Sequence, residues 1–252
     1  MGPLVIILSV IVGIIAAILI VASILYMKLK ASVGSENARM LVDAVKNAAN
    51  ATKEEYGRIK KIMGITSIAV PNIKRKFASF EPQILFKKTE ECIRGYLDAI
   101  ENKSLAKFEK VEDAEFVLGD TRKQIEDLEG SGTEYRFDNI VFNEHAIKDY
   151  RYENGAAIIT VGSSVGYYYD SNIKKDLKYD DIRKQTRYIS KWVYVYDENN
   201  FTKKAVNFSV HCPNCGAPLQ KAGDTTCVYC GNYVESINLK AWKLISIVED
   251  TR

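Results

Sequence analysis

The first pattern along the chain is an uninterrupted apolar run. No side chain between Met1 and Met27 is charged, and Pro3–Met27 consists almost wholly of Ile, Val, Leu and Ala. As an α-helix rising ~1.5 Å per residue, this run would reach roughly 37 Å, enough to cross a hydrocarbon core of ~30 Å. A cleaved signal peptide would need a basic start and a shorter apolar run. The pattern therefore predicts an uncleaved transmembrane anchor in residues 1–30, with residues 3–27 in the membrane.

The charges that flank this run predict its orientation. No Lys or Arg precedes it, whereas Lys28 and Lys30 follow it at once. Basic residues collect on the cytoplasmic side of membrane helices. We therefore expect a single-pass protein of the plasma membrane, with its N-terminus outside and its C-terminal domain in the cytoplasm.

Residues 31–70 continue with an amphipathic helical pattern. Apolar and small side chains recur at spacings of three and four, and charged residues occupy the other faces. The stripe consists of Leu41, Val45, Ala48, Thr52, Tyr56, Ile59 and Met63. Three interpretations stay open: a coiled-coil stalk that would pair copies of the chain, a helix on the membrane surface, and a helix packed on the soluble domain. The narrow stripe, rich in Ala and Thr, favours the stalk or the packed helix.

Residues 71–208 change from helical to strand periodicity. Helical spacing covers Glu81–Glu101 and Asp113–Leu128, with a short helix between them, and Gly130–Gly132 ends the helical half. Strand patterns follow at Tyr135–Ile147, Arg151–Tyr169 and Lys184–Asp197, with a hairpin turn at Asn154–Gly155. We predict an α+β fold, a cone-like domain of about three helices on a curved antiparallel sheet.

Residues 209–252 contain the strongest chemical motif. Cys212 and Cys215 form one CxxC pair and Cys227 and Cys230 a second, each followed directly by glycine. Two such turns supply the four thiolates of a tetrahedral site, so we predict one structural Zn²⁺ per chain in a zinc ribbon followed by a terminal strand. Two disulfides are the alternative, and they would require an oxidising compartment. The fifth cysteine, Cys92, falls in an apolar helical pattern and is interpreted as a buried small side chain.

Charge and motifs argue against two broad classes of function. The net charge is only +3, and Lys221 and Asp224 cancel each other within the ribbon, so nucleic-acid binding is not expected. We expect no enzyme, because no phosphate loop, GxSxG or HExxH motif occurs. His145 is interpreted as a surface or hydrogen-bonded structural residue. His211 precedes a complete set of four ligands, so we place it beside the site or in solvent.

The order of these features resembles a known family. Helices, then long strands including Lys191–Tyr196 (KWVYVY), precede a CPNCG…CVYCG ribbon and the segment Ala241–Leu244. This arrangement is similar to the nuclear-transport-factor-two-like cone. More narrowly, it resembles the membrane-tethered Tim-forty-four-like domain proteins that carry a C-terminal CPxCG zinc ribbon. The resemblance implies a scaffold or transport-related binding module without catalytic activity.

These observations lead to one main functional hypothesis and two alternatives. We expect a membrane-tethered cytoplasmic protein-binding or scaffold module with an unidentified protein partner, linked to protein transport or assembly at the membrane. The first alternative is binding or conversion of a small apolar ligand or lipid in the pocket of the cone. The second is a zinc or redox sensor, because two exposed CxxC pairs could release metal on oxidation.

Overall fold

The computed structural model describes residues 20–25, 27–28, 35–171, 182–196, 212, 214–215, 217, 226–233 and 241–250. The chain divides into two compact units, Met1–Glu55 and Tyr56–Arg252. Helix α1 (Ser35–Gly57) begins in the first unit and ends before Met63, the last residue of the predicted apolar stripe. The side chain of Val45, on its apolar stripe, is 70% exposed. The limits of the four domains expected from the sequence, and the role of α1 as a stalk, stay predictions.

The prediction of a membrane anchor is corrected here. No helix among the described residues is long and apolar enough to cross a membrane. A spanning helix needs ~20 apolar residues; α1 is long enough but carries charged residues on most of its turns, such as Asp43 and Lys53. The finding overturns the transmembrane helix in the expected fold class and the single-pass plasma-membrane localisation. Most of residues 3–27 lies outside the described residues, which include only 20–25 and 27 of that segment.

The second unit is built on an antiparallel sheet. Within the described residues its strands are β1 (Tyr135–Glu153), β2 (Ala156–Ser171), β3 (Lys184–Val195) and β4 (Lys243–Asp250), in the order β1-β2-β3-β4. The β1–β2 turn is Asn154–Gly155, where both residues have positive φ, 43° and 79°. That conformation is the one an Asn-Gly hairpin turn adopts, so the expected hairpin is present.

Helices cover one face of this sheet, here called the front. They are α2 (Thr66–Lys74), α3 (Pro82–Asn102) and α4 (Leu118–Ser131), with 3-10 turns at Phe108–Lys110 and Glu115–Val117. Proline occupies the first position of α3, and Gly132 caps α4 with φ 64°. Helices on an antiparallel sheet are the α+β part of the predicted fold class, and the structure has that part.

Strand β2 is buried on both faces, which divides the core in two. Its side chains alternate between the faces: Ile159 and Val161 pack with Trp192 and α3 on the front, in the main core. Ile158 faces the other side, here called the back, and packs there with other apolar residues and two cysteines of the ribbon. The back cluster contains Phe116, Ala156, Ile158, Val193, Val195, Cys212, Cys227 and Ile245.

The ribbon lies between two strands that are neighbours in the sheet. Strand β4 follows the ribbon and pairs with β3, with Ile189 opposite Val248 and Trp192 opposite Leu244. Strand β4 is also bonded outside the sheet, because the backbone N–H of its residue Leu244 donates to Asp113 O at 2.9 Å. The ribbon is therefore tied to the sheet by the strands that precede and follow it.

Candidate metal centre

Both CxxC pairs fold into the same local turn. The backbone N–H of Cys212 donates to Ala217 O at 2.7 Å, and that of Cys227 donates to Asn232 O at 3.0 Å. Each bond spans five residues, so the two turns repeat one geometry. In the second turn Gly231 has φ 69°, a conformation that glycine adopts without strain. We call the described residues 212, 214, 215 and 217 the first knuckle and residues 226–233 the second knuckle.

The two knuckles bring the four predicted cysteines together. All four sulfurs lie within 4.8 Å of one another. Cys212 Sγ is 3.7 Å from Cys230 Sγ, and Cys215 Sγ is 3.7 Å from Cys227 Sγ. A zinc ion with Zn–S bonds of ~2.3 Å would require tetrahedral edges of about 3.8 Å. The thiols are free, and the cluster could hold a metal ion.

Backbone amides at the knuckles shift the acidity of two of these thiols. The N–H of Asn232, together with the side-chain amide of Asn214, lowers the pKa of Cys230 to about 6. The N–H of Ala217 acts on Cys215 in the same direction. Desolvation and hydrogen bonds with neighbouring thiols outweigh it and raise the pKa of Cys215 to about 12. A cation would favour the thiolate form of all four, so metal binding would release protons.

The first knuckle is anchored to the helical part of the domain. Arg122 on α4 donates from Nη1 to Asn214 O at 2.6 Å, and its Nη2 lies 3.7 Å from Glu109. Cys212 and Cys227 are fully buried in the back cluster, whereas Cys215 is exposed. The centre therefore has an inner side against the sheet and an outer side toward solvent.

The second knuckle presents large apolar side chains to solvent. Val228 and Tyr229, between its two cysteines, are each 63% exposed, and Tyr233 is 73% exposed. A β-bridge between Thr226 and Tyr233 closes the turn behind them. No charged residue lies within residues 226–233, so the surface is apolar and neutral.

The histidine singled out from the sequence contacts a serine on β2 and a glutamate on α3. His145 Nδ1 is 2.9 Å from Ser163 Oγ, and Nε2 is 2.9 Å from Glu90 Oε1. Its ring stacks between Phe86 and Phe142, with centroids 5.5 Å away on each side. Both ring nitrogens are engaged, which is the hydrogen-bonded structural arrangement. His211, Lys221 and Asp224 lie outside the described residues.

Sequence reasoning did not identify the partners of His145. Glu90 and Ser163 are 55 and 18 residues away along the chain. Neither belongs to a motif, and only the packing of α3 on the sheet brings them to the ring. The alternation of β1 and β2 could have placed Ser163 on the front face, but no pattern indicates which helical residue faces it.

A small cavity lies on the front face, where a cone-type pocket was expected. Its volume is about 130 Å³, and Tyr96, Tyr167 and Tyr188 are among its lining residues. An ion pair also lines it, with Lys184 Nζ 2.7 Å from Glu249 Oε1. Pockets for drug-sized ligands occupy ~300–1,000 Å³. This cavity is below that range, and the alternative of an apolar ligand or lipid stays a prediction.

Cys92 lies apart from the metal centre, in the main core. Its side chain is 1% exposed on α3, and burial raises the pKa of its thiol to about 12. It packs as the small apolar side chain that its helical pattern indicated.

Comparison with known proteins adds no relative: no protein-family model matches the chain, and no curated protein matches it.

Proposed function

We propose that this protein is a zinc-stabilised protein-binding module whose contact surface is the second knuckle. The exposed side chains of Val228, Tyr229 and Tyr233 carry this proposal. Exposed apolar groups that cluster on a rigid element favour a protein partner, and aromatic residues are enriched where proteins bind one another. The absence of charge across residues 226–233 favours an apolar protein surface over nucleic acid.

The donor set supports zinc as the metal. Four thiolates at tetrahedral spacing suit zinc, and a hard cation such as Mg²⁺ or Ca²⁺ prefers oxygen ligands. Four protein ligands would leave no position for water or substrate, so the ion would have a structural role. It would join the anchored first knuckle to the exposed second knuckle. The contact surface would then keep its shape because the metal holds it.

Metal analysis of the purified chain tests the zinc centre. We expect about one zinc per wild-type chain and loss of that zinc in Cys212→Ser. Cys92→Ser is the matched control, since it also replaces a buried cysteine but should retain the metal. A wild-type protein that binds no zinc after reduction and reconstitution would contradict the proposed centre.

Paired surface variants test the binding surface. Crosslinking followed by mass spectrometry should identify a partner that wild type captures and that Tyr229→Ser and Tyr233→Ser lose. Ile84→Ser is the matched control, because Ile84 on α3 is 58% exposed but lies outside the ribbon. Each variant is first shown to retain zinc. Capture that is equal in the knuckle variants and in the control would rule out the second knuckle as the contact.

The expected link to protein transport rests on the resemblance to the Tim-forty-four-like family. It stays a prediction, and the identity of the captured partner would test it.

A further inference from the structure

The four thiols of the metal centre differ in their access to solvent. Cys212 and Cys227, the first cysteine of each knuckle, are buried against the sheet. Cys215 is exposed and Cys230 is half-buried. Oxidation of thiols follows exposure and thiolate character. A dissolved oxidant therefore reaches the second cysteine of each knuckle first.

The two outer sulfurs also differ in hydrogen bonding. Cys230 Sγ accepts the backbone N–H of Asn232 and the side-chain amide of Asn214, whose Nδ2 lies 3.7 Å away. Cys215 accepts the backbone N–H of Ala217. An N–H donor stabilises charge on sulfur and so reduces its nucleophilicity. In the zinc-loaded protein all four sulfurs would be thiolates, so exposure and hydrogen bonding would decide between them. Cys215 is the more exposed of the two outer sulfurs, and among the described residues the side-chain amide of Asn214 donates to Cys230 instead, so Cys215 is the sulfur that attacks an oxidant first.

The spacing of the sulfurs permits a disulfide across the two knuckles. Cys215 Sγ lies 3.7 Å from Cys227 Sγ, which belongs to the other knuckle. A disulfide requires an S–S separation of ~2.05 Å, so the two sulfurs need to approach by roughly 1.7 Å. We infer that the metal centre is an oxidation site at which peroxide forms a Cys215–Cys227 disulfide across the two knuckles and releases the metal. This inference rests on the proposed zinc centre and adds regulation to its binding surface.

The reaction balances with hydrogen peroxide as the oxidant. The Cys215 thiolate attacks one oxygen of peroxide, the O–O bond breaks, and hydroxide leaves as Cys215 becomes a sulfenic acid. The Cys227 thiolate then attacks that sulfur, the S–S bond forms, and a second hydroxide leaves. Each hydroxide takes up a proton to give water. Two thiolates are oxidised, one peroxide is reduced to two waters, and Zn²⁺ dissociates because two of its ligands are gone.

The consequence reaches the contact surface directly. Val228 and Tyr229 stand between Cys227 and Cys230, so a change of bonding at Cys227 repositions both side chains. Binding through the second knuckle would then decrease under oxidation and return after reduction and the addition of zinc.

The experiment uses the full chain, reduced and loaded with zinc. Hydrogen peroxide is added, released zinc is followed with a colorimetric chelator, and the remaining thiols are alkylated. Trypsin cleaves after Lys221, between the knuckles, so a disulfide across them joins two peptides while one within a knuckle does not. Fragmentation then locates the alkylated cysteines. We expect about one zinc released per disulfide, with Cys215–Cys227 as the main linkage.

Asn214→Ala supplies a matched variant that keeps every cysteine. Removing the amide donor should make Cys230 more reactive and increase the share of a Cys212–Cys230 disulfide, whose sulfurs are also 3.7 Å apart. An unchanged share would overturn the hydrogen-bond argument for Cys215. A main linkage within one knuckle, or zinc retained at full peroxide consumption, would overturn the inference. A reduced protein that binds no zinc would instead overturn the proposed centre, so the two failures are distinguishable.

Discussion

His145 shows how one side chain can join a helix to the sheet. Its ring is held by Glu90 on α3 and by Ser163 on β2, between two phenylalanine rings. Ser163 is fully buried, whereas the side chain of Glu90 is 36% exposed. The two hydrogen bonds therefore contribute differently to stability. If His145 were removed, Glu90 could bond to water, whereas the buried hydroxyl of Ser163 could not.

We expect His145→Ala to lower the free energy of unfolding by ~1–3 kcal/mol. Ser163 would lose its hydrogen bond, and the two phenylalanine rings would lose the imidazole ring stacked against them. Glu90→Gln is the control, because it keeps an acceptor for His145 and should cost less than ~1 kcal/mol. Urea unfolding of both variants measures the difference. Equal effects of the two substitutions would contradict this assignment of roles.

At the scale of elements, a buried ionic cluster joins β4 to the helical side. Asp113, with its side chain 3% exposed, accepts from Lys88 on α3 and from Lys243 on β4, the latter at 2.7 Å. Lys243 also lies 2.9 Å from Glu115. Burial alone would lower the pKa of Lys243, but its hydrogen bonds to these carboxylates raise it. The lysine is therefore held in its charged form beside Asp113.

Asp113→Asn tests this cluster with little change of shape. Asparagine tolerates the positive φ of 68° at this position, so the main loss is the negative charge beside two lysines. We expect the free energy of unfolding to fall by about 3 kcal/mol, as for a buried ion pair that loses one partner. Asp98→Asn breaks the exposed pair with Lys107 and should cost at most ~1 kcal/mol. Chemical denaturation measures both variants. Equal losses of unfolding free energy in Asp113→Asn and Asp98→Asn would contradict a stabilising role for the buried ionic cluster.

The segment before α2 lies close against β1. Ile65 N–H donates to Ile147 O at 2.7 Å, and a Cβ added at Gly64 would lie 2.5 Å from Ala146 Cβ and 2.8 Å from Ile147 O. Glycine is thus required by the close approach of two backbones. The apolar stripe predicted from the sequence continues to Met63, but helix α1 already ends at Gly57.

Gly64→Ala should therefore lower the free energy of unfolding by ~1–3 kcal/mol, because backbone must move to admit the methyl group. Gly130→Ala is the matched control: it lies in α4 with no atom within 4 Å of the added Cβ. Alanine there should raise stability by up to ~1 kcal/mol. Thermal unfolding of the two variants should shift in opposite directions, and a shift in the same direction would contradict the close approach.

Across the whole molecule, one thiol and three phenols share one direction of pKa shift. Burial raises the pKa of Cys92 from 9.0 to about 12 and that of Tyr169 from 10.0 to about 12. Burial also raises the pKa of Tyr167 and Tyr188. As pH rises, the unfolded chain loses these protons before the folded chain does. The stabilisation is complete below the unfolded values and is lost as pH increases through the folded ones.

We therefore expect the free energy of unfolding to fall as pH rises from ~9 to ~12. Urea unfolding at a series of pH values measures how steeply the free energy of unfolding falls with pH. Tyr167→Phe keeps the ring and removes the titrating hydroxyl, so its free energy of unfolding should fall less steeply. A stability that increases across this range would contradict the buried, neutral state of these groups.

The secondary structure was largely predictable because its causes are local. The helix Pro82–Asn102 differs from its predicted limits by one residue at each end, and the Asn154–Gly155 hairpin is where the dipeptide placed it. The prediction of a membrane anchor was wrong, because no helix among the described residues is long and apolar enough to span a bilayer.

The two cysteine pairs of the candidate metal centre could be predicted from the sequence, because the CxxC spacing makes each turn bring its own two sulfurs together. The sequence also determined the alternation that divides the sheet into two faces. Three other features depend on the packing of the folded chain: which cysteines are buried, the pairing of β4 with β3 beyond the ribbon, and the contact of Glu90 with His145. These contacts join residues far apart in the chain, and they depend on strand register and helix packing, which local periodicity does not encode.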